Sequence, residues 1–131
     1  FAARLDEPFI CDQSVYIALP RPDSAWSPDL VLACMSSRLV AALLRARHQE
    51  HDALFPQLKL AEARALPLPP IDPAAPEAQA VANMAREHQQ RDWPSAARRE
   101  AHRAQLEAAV ARLYGMPPEA FVETPRAAQH P

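Results

Sequence analysis

Residues 77–115, EAQAVANMAREHQQRDWPSAARREAHRAQLEAAVARLYG, hold two helical patterns around one turn. Val81, Met84, Ala85 and His88 recur at the three- and four-residue spacing of one helical stripe, and Leu106, Val110, Leu113 and Tyr114 do the same in the second half. Between them Asp92-Trp93-Pro94-Ser95 turns the chain, with Ser95 placed to cap the second helix. Two helices of similar length joined by so short a turn lie antiparallel, which predicts an αα-hairpin with arms over about residues 76–91 and 95–114. The facing residues are mostly Ala, Val, Leu and Met, so the axes approach closely. Gly115 is the only glycine in a chain of 131 residues that also carries 15 prolines. It supplies the left-handed residue that ends the helix, and Pro117 blocks continuation. Pro118-Glu119 then suits the first turn of a short helix that returns Phe121 to the body of the fold.

Upstream of the hairpin, PLPPIDPAAP reads as a proline-stiffened connector leaving the globular part. Before it, FPQLKL is extended by its pattern and EARAL makes a brief helical turn. From Asp29 to about His48 the sequence DLVLACMSSRLVAALLRARH is helical and apolar around most of its circumference, which predicts a buried helix over about 28–48 packed on two sides. Ser27 with Pro28 forms its N-cap and first turn. Residues 9–19, FICDQSVYIAL, are rich in Phe, Ile, Val and Tyr and predict one long strand or a strand pair. The expected fold is therefore α+β: a small β-containing lobe with a buried apolar helix over residues 1–70, then connector, hairpin and tail over 71–131.

A chain of this length is one domain, or one lobe with an appended helical element. It opens FAARLDEPFI, without a methionine, and is expected to be part of something larger. Cys11 and Cys34 match no C-x-x-C spacing; both read as small buried apolar residues, which fits a reducing cytoplasm. No apolar run reaches the roughly 18 residues of a membrane span. The net charge of −2 gives no global footprint for nucleic acid, but the charge is uneven. Residues 1–30 hold two arginines against five acidic side chains, whereas residues 36–64 hold five basic against three acidic. An anion-binding surface therefore belongs to the middle of the sequence. Thirteen of the 14 basic residues are arginines, suited to bidentate contacts.

Catalytic patterns are scarce. His48 and His51 stand at H-x-x-H spacing without a third ligand, so no metal site is expected. There is no G-x-S-x-G, and one glycine cannot build a phosphate-cradling loop. His88 and His102 read as ordinary interface or solvated residues of the hairpin, and Glu119 as a helix-dipole partner. No catalytic, cofactor-binding or metal-binding residue is assigned.

The order of the segments resembles a known family. DLVLACMSSRLVAALLR resembles the "LLALLNSKL" helix of the C-terminal specificity domains of TaqI-like adenine-N6 DNA methyltransferases, found in type II restriction-modification enzymes. FPQLKLAEARALPLPPI resembles the segment that follows, with its "LPIP" step, and Gln79 matches the glutamine that often starts the next helix. LEAAVARLYGMPPEAF resembles the closing pattern around "LYGL", so the likeness runs from about Phe9 to Phe121. Ser36 stands where asparagine is usual, Ala111 where tyrosine precedes "LYGL", and Glu119 alone represents an acidic pair.

The resemblance implies a target-recognition module that carries no reaction, binds double-stranded DNA, and positions it for an upstream methyltransferase or endonuclease domain of the same chain. S-adenosylmethionine is then expected in that upstream domain. The resemblance places the DNA-facing loop in RARHQEHDALFPQLK, whose candidate contacts are Arg45, Arg47, His48, Gln49, His51, Gln57 and Lys59. Arginine pairs bidentately with guanine and glutamine with adenine, while either cation neutralises phosphate. The rival expectation is a helical-hairpin interaction or dimerisation module without DNA contact, which the slightly negative charge favours.

Overall fold

The computed structural model describes residues 3–8, 10–11, 16–47 and 60–117. Among these residues five helices follow one another: α1 (Pro28–Met35), α2 (Arg38–Arg47), α3 (Leu60–Arg64), α4 (Pro76–Gln90) and α5 (Ala96–Leu113). Each long helix starts where local chemistry places it. Ser27 accepts from the Leu30 amide at 3.2 Å and Ser95 from the Arg98 amide at 3.2 Å, while Pro28 and Pro76 occupy first-turn positions that need no amide. At its far end α5 closes in a Schellman motif: Gly115 adopts φ +70°, its amide bonds Arg112 O at 2.9 Å, and the Met116 amide reaches back to Ala111 O at 3.0 Å.

Helices α4 and α5 form the expected antiparallel hairpin, but the core is a three-helix one. The most extensive contact lies between α1 and α4, and one cluster joins Leu30, Ala33 and Cys34 of α1 to Ala78, Val81, Ala82 and Ala85 of α4 and to Val110 and Leu113 of α5. Small side chains on α4 let the α1 backbone approach closely, and Trp26, Ile71 and Leu106 close the margins. The connector does not leave this body. Pro69 is buried and Ile71 packs on the core, because both apolar rings and chains gain more from contact than from solvent.

The expected β-containing lobe is not found. Of the described residues 57% are helical and none lies in a strand, so what is described is all-α and contradicts the expected α+β fold. Of the stretch expected to be a strand, residues 9 and 12–15 lie outside the described residues. The others form no ladder, and Ile10, Ile17 and Leu19 are 102%, 58% and 83% exposed. Propensity for extended backbone becomes a strand only where a neighbouring segment pairs with its amides, and no described segment does so. Cys11, expected in the core, is half-buried; Cys34 is buried as expected.

The single helix expected over 28–48 is two. Ser36 ends α1, and Ser37 starts α2 by accepting from the Val40 amide at 3.2 Å while its hydroxyl donates to Cys34 O at 2.7 Å. Serine side chains compete for backbone groups in this way and break a helix when another partner stabilises the break. That partner is Glu107 of α5, whose carboxylate accepts the Arg38 amide at 2.9 Å and sits at the positive end of α2.

One ion cluster fixes α1 against α4. Asp29 is 1% exposed, and its Oδ2 accepts from Arg86 Nε at 2.9 Å and Nη2 at 2.7 Å, and from Arg4 Nη1 at 2.7 Å. Removing one partner of a buried carboxylate leaves its desolvation uncompensated. Replacing Arg86, which is about half exposed, with Met should therefore cost about 2 kcal/mol in denaturant unfolding, while Arg98→Met leaves stability unchanged. An alanine at Gly115 would meet nothing within 4 Å, so its cost of about 1 kcal/mol arises from the positive φ alone.

Candidate nucleic-acid interface and the hairpin tip

Of the seven candidate contact residues, two fall on described backbone. Arg45 and Arg47 lie in the last turn of α2, whereas His48, Gln49, His51, Gln57 and Lys59 lie outside the described residues. The Arg47 side chain is exposed, and its Nη1 donates to Ala65 O, just beyond α3, at 3.3 Å. The end of α2 is thus tied to the end of α3. Four of the five guanidinium donors of Arg47 take no part in that bond.

Beneath these ends three sequence segments converge. Tyr114 donates its hydroxyl to Pro67 O at 2.9 Å, joining the end of α5 to the connector. The Tyr114 side chain also packs on the core cluster that contains Cys34 of α1, with its phenol as a hydrogen-bonding donor available to the sulfur. Burial pushes the Cys34 thiol up to about 11, and the Tyr114 contact opposes that rise. The Tyr114 phenol is raised as well, chiefly by burial and then by the adjacent thiol. Gln79 adds a tether at the start of α4, its Nε2 donating to Pro73 O at 2.7 Å.

A second polar cluster occupies the hairpin tip, where the sequence predicts only ordinary interface or solvated histidines. An open cleft of about 340 Å³ is lined by Arg91, Trp93, Arg98, His102 and Gln105. The Trp93 indole donates to His88 O at 3.2 Å, and the Arg91 guanidinium lies over its ring at 5.1 Å from the centroid. His88 and His102 face each other across the two arms. Antiparallel arms place residues equidistant from the turn side by side, so their meeting was readable from the hairpin itself. Among the described residues no group of three His, Cys, Asp or Glu side chains is placed to hold a metal ion. No helix among them is long and apolar enough to cross a membrane. No family model matches the chain, and no curated protein or solved structure matches it either.

The Cys34 geometry has a consequence for alkaline stability. Its folded-state value lies above the ordinary thiol value, so the folded state holds the proton more tightly, and this contribution is complete below about pH 9 and lost as pH rises to about 11. Denaturation midpoints should fall across that window by an amount equivalent to about 2 kcal/mol, and Cys34→Ala should flatten the fall.

Proposed function

We propose that this chain is the DNA sequence-recognition module of a restriction-modification adenine-N6 DNA methyltransferase, positioning duplex DNA for a catalytic domain upstream of it. One observation carries the reading. The three segments that resemble the specificity domains, the helix with Cys34, the "LPLP" step with Pro67 and the "LYG" closure with Tyr114, meet at the Tyr114 side chain, which bonds Pro67 O and packs on the cluster that contains Cys34. Patterns scattered over 80 residues by chance have no reason to converge on one contact. In this reading the segments build a scaffold, and the stretch from Arg45 to Lys59 is what the scaffold presents.

The module carries no reaction itself. Methyl transfer, with S-adenosylmethionine, belongs to the upstream domain, and an endonuclease fused to the same chain is compatible with the arrangement. Arg45, Arg47 and Lys59 serve phosphates or guanine; Gln49 and Gln57 serve adenine; His48 and His51 complete the polar surface. A second reading, an interaction module without DNA contact, is favoured by the exposed Ile10, Ile17 and Leu19, which a partner surface would cover.

Binding of duplex DNA by the full protein, measured against salt, separates the two. A phosphate-contacting Arg47 or Lys59 replaced by Ala lowers the slope of log affinity against log salt by about one unit and weakens every sequence alike. Gln49→Ala or Gln57→Ala costs roughly 1–3 kcal/mol at one position of the site. Unchanged affinity and unchanged sequence preference in all four variants would remove the DNA reading in favour of the partner surface.

A further inference from the structure

Across the hairpin tip the Nδ1 atoms of His88 and His102 are 3.3 Å apart, their ring planes are 6° from parallel, and their centroids are separated by 5.4 Å. Two imidazoles stacked face to face with one Nδ1 over the other would have centroids little farther apart than the nitrogens. Here the centroids exceed that distance by about two ring radii, so the rings are nearly coplanar and meet edge to edge. Each Nδ1 lone-pair direction then points at the other nitrogen, with room for one proton between them. A shared tetrahedral metal would need the two directions to converge at an angle, which collinear nitrogens do not offer.

We infer that His88 and His102 form a one-proton latch that holds the hairpin tip closed and opens when a second proton is taken up. Glu87 Oε2 lies 3.6 Å from His102 Nε2, so an N–H on that nitrogen faces a carboxylate. One added proton is accommodated: an N–H then faces Glu87 and another lies between the two rings. The next has no place, because two Nδ1–H groups would confront each other. The surroundings reinforce this. From α5, Arg99 and Arg103 oppose charge on His88 while Glu100 favours it; just past α4, Arg91 is bound to Glu87. Burial first, then a charged His102, then the two arginines hold His88 below the usual imidazole range.

Because the folded-state value is depressed, the latch's contribution is complete above the ordinary imidazole value and is lost as pH falls through the lower value of His88. Trp93 reports the opening. It lies against both rings, at 5.7 Å from His88 and 4.8 Å from His102, and its indole N–H is bonded to His88 O.

An NMR titration of the imidazole nitrogens in the whole chain tests the latch, with His88→Gln and His102→Gln assigning the signals. His88 should titrate below the ordinary imidazole range, and the Trp93 indole resonance should move with that step and not with the first. In His102→Gln the opposing charge and the facing N–H are gone, so the His88 midpoint and the Trp93 transition should both shift upward. Histidines that titrate together with Trp93 unmoved would overturn the latch, and so would a Trp93 transition that stays in place in His102→Gln.

Discussion

A carboxylate removed from water is tolerated only where donors replace the water, and Asp29 imposes that condition on the whole fold. The contact of α1 with α4 rests on alanines, valines and leucines, whose attraction has little directional preference and would tolerate a sliding or rotated pairing. The bond from Arg86 to Asp29 removes that freedom, because two guanidinium nitrogens must reach one oxygen at the buried start of α1. With that register set, the end of α1 arrives beside α5, where Ser37 and Glu107 begin α2. Arg4 brings the N-terminal segment to the same oxygen.

What was legible in the sequence was what acts over a few residues. Ser27, Ser95 and Gly115 each cap a helix through neighbours within one turn, and the hairpin follows from two apolar stripes and a short turn. The missing strand lay beyond that reach. Ile10, Tyr16 and Ile17 favour extended backbone, but whether a strand forms depends on a partner that local propensity does not reveal. The break at Ser36–Ser37 was equally hidden: serines within an apolar helix are common, and this pair interrupts one because Glu107 lies beside the next amide. The same holds for the connector, whose prolines read as an exit and instead lie on the core through Pro69, Ile71 and the carbonyl of Pro67.

The candidate site was legible to an intermediate degree. The positive balance of residues 36–64 pointed only to the middle of the sequence; Arg45 and Arg47 were named by the resemblance, and Arg47 is exposed. Its hydrogen bond to Ala65, which ties the end of α2 to the end of α3, has no counterpart in composition or spacing. At the hairpin tip the reverse happened. His88 and His102 were visible, and the antiparallel arms implied that they met, but an ordinary polar reading hid that their ring nitrogens are aligned in one plane.

The cap on α2 also sets an order of events. Glu107 accepts an amide 69 positions earlier in the chain, and Asp29 waits for an arginine 57 positions later. During synthesis α1 therefore emerges with a carboxylate that has no α4 to receive it, and α2 emerges without its cap. The hairpin, by contrast, is stabilised by contacts between neighbours in the sequence and can form as soon as its second arm is made. The C-terminal half thus supplies partners that the N-terminal half lacks when it is made: Arg86 for the buried carboxylate of α1 and Glu107 for the start of α2.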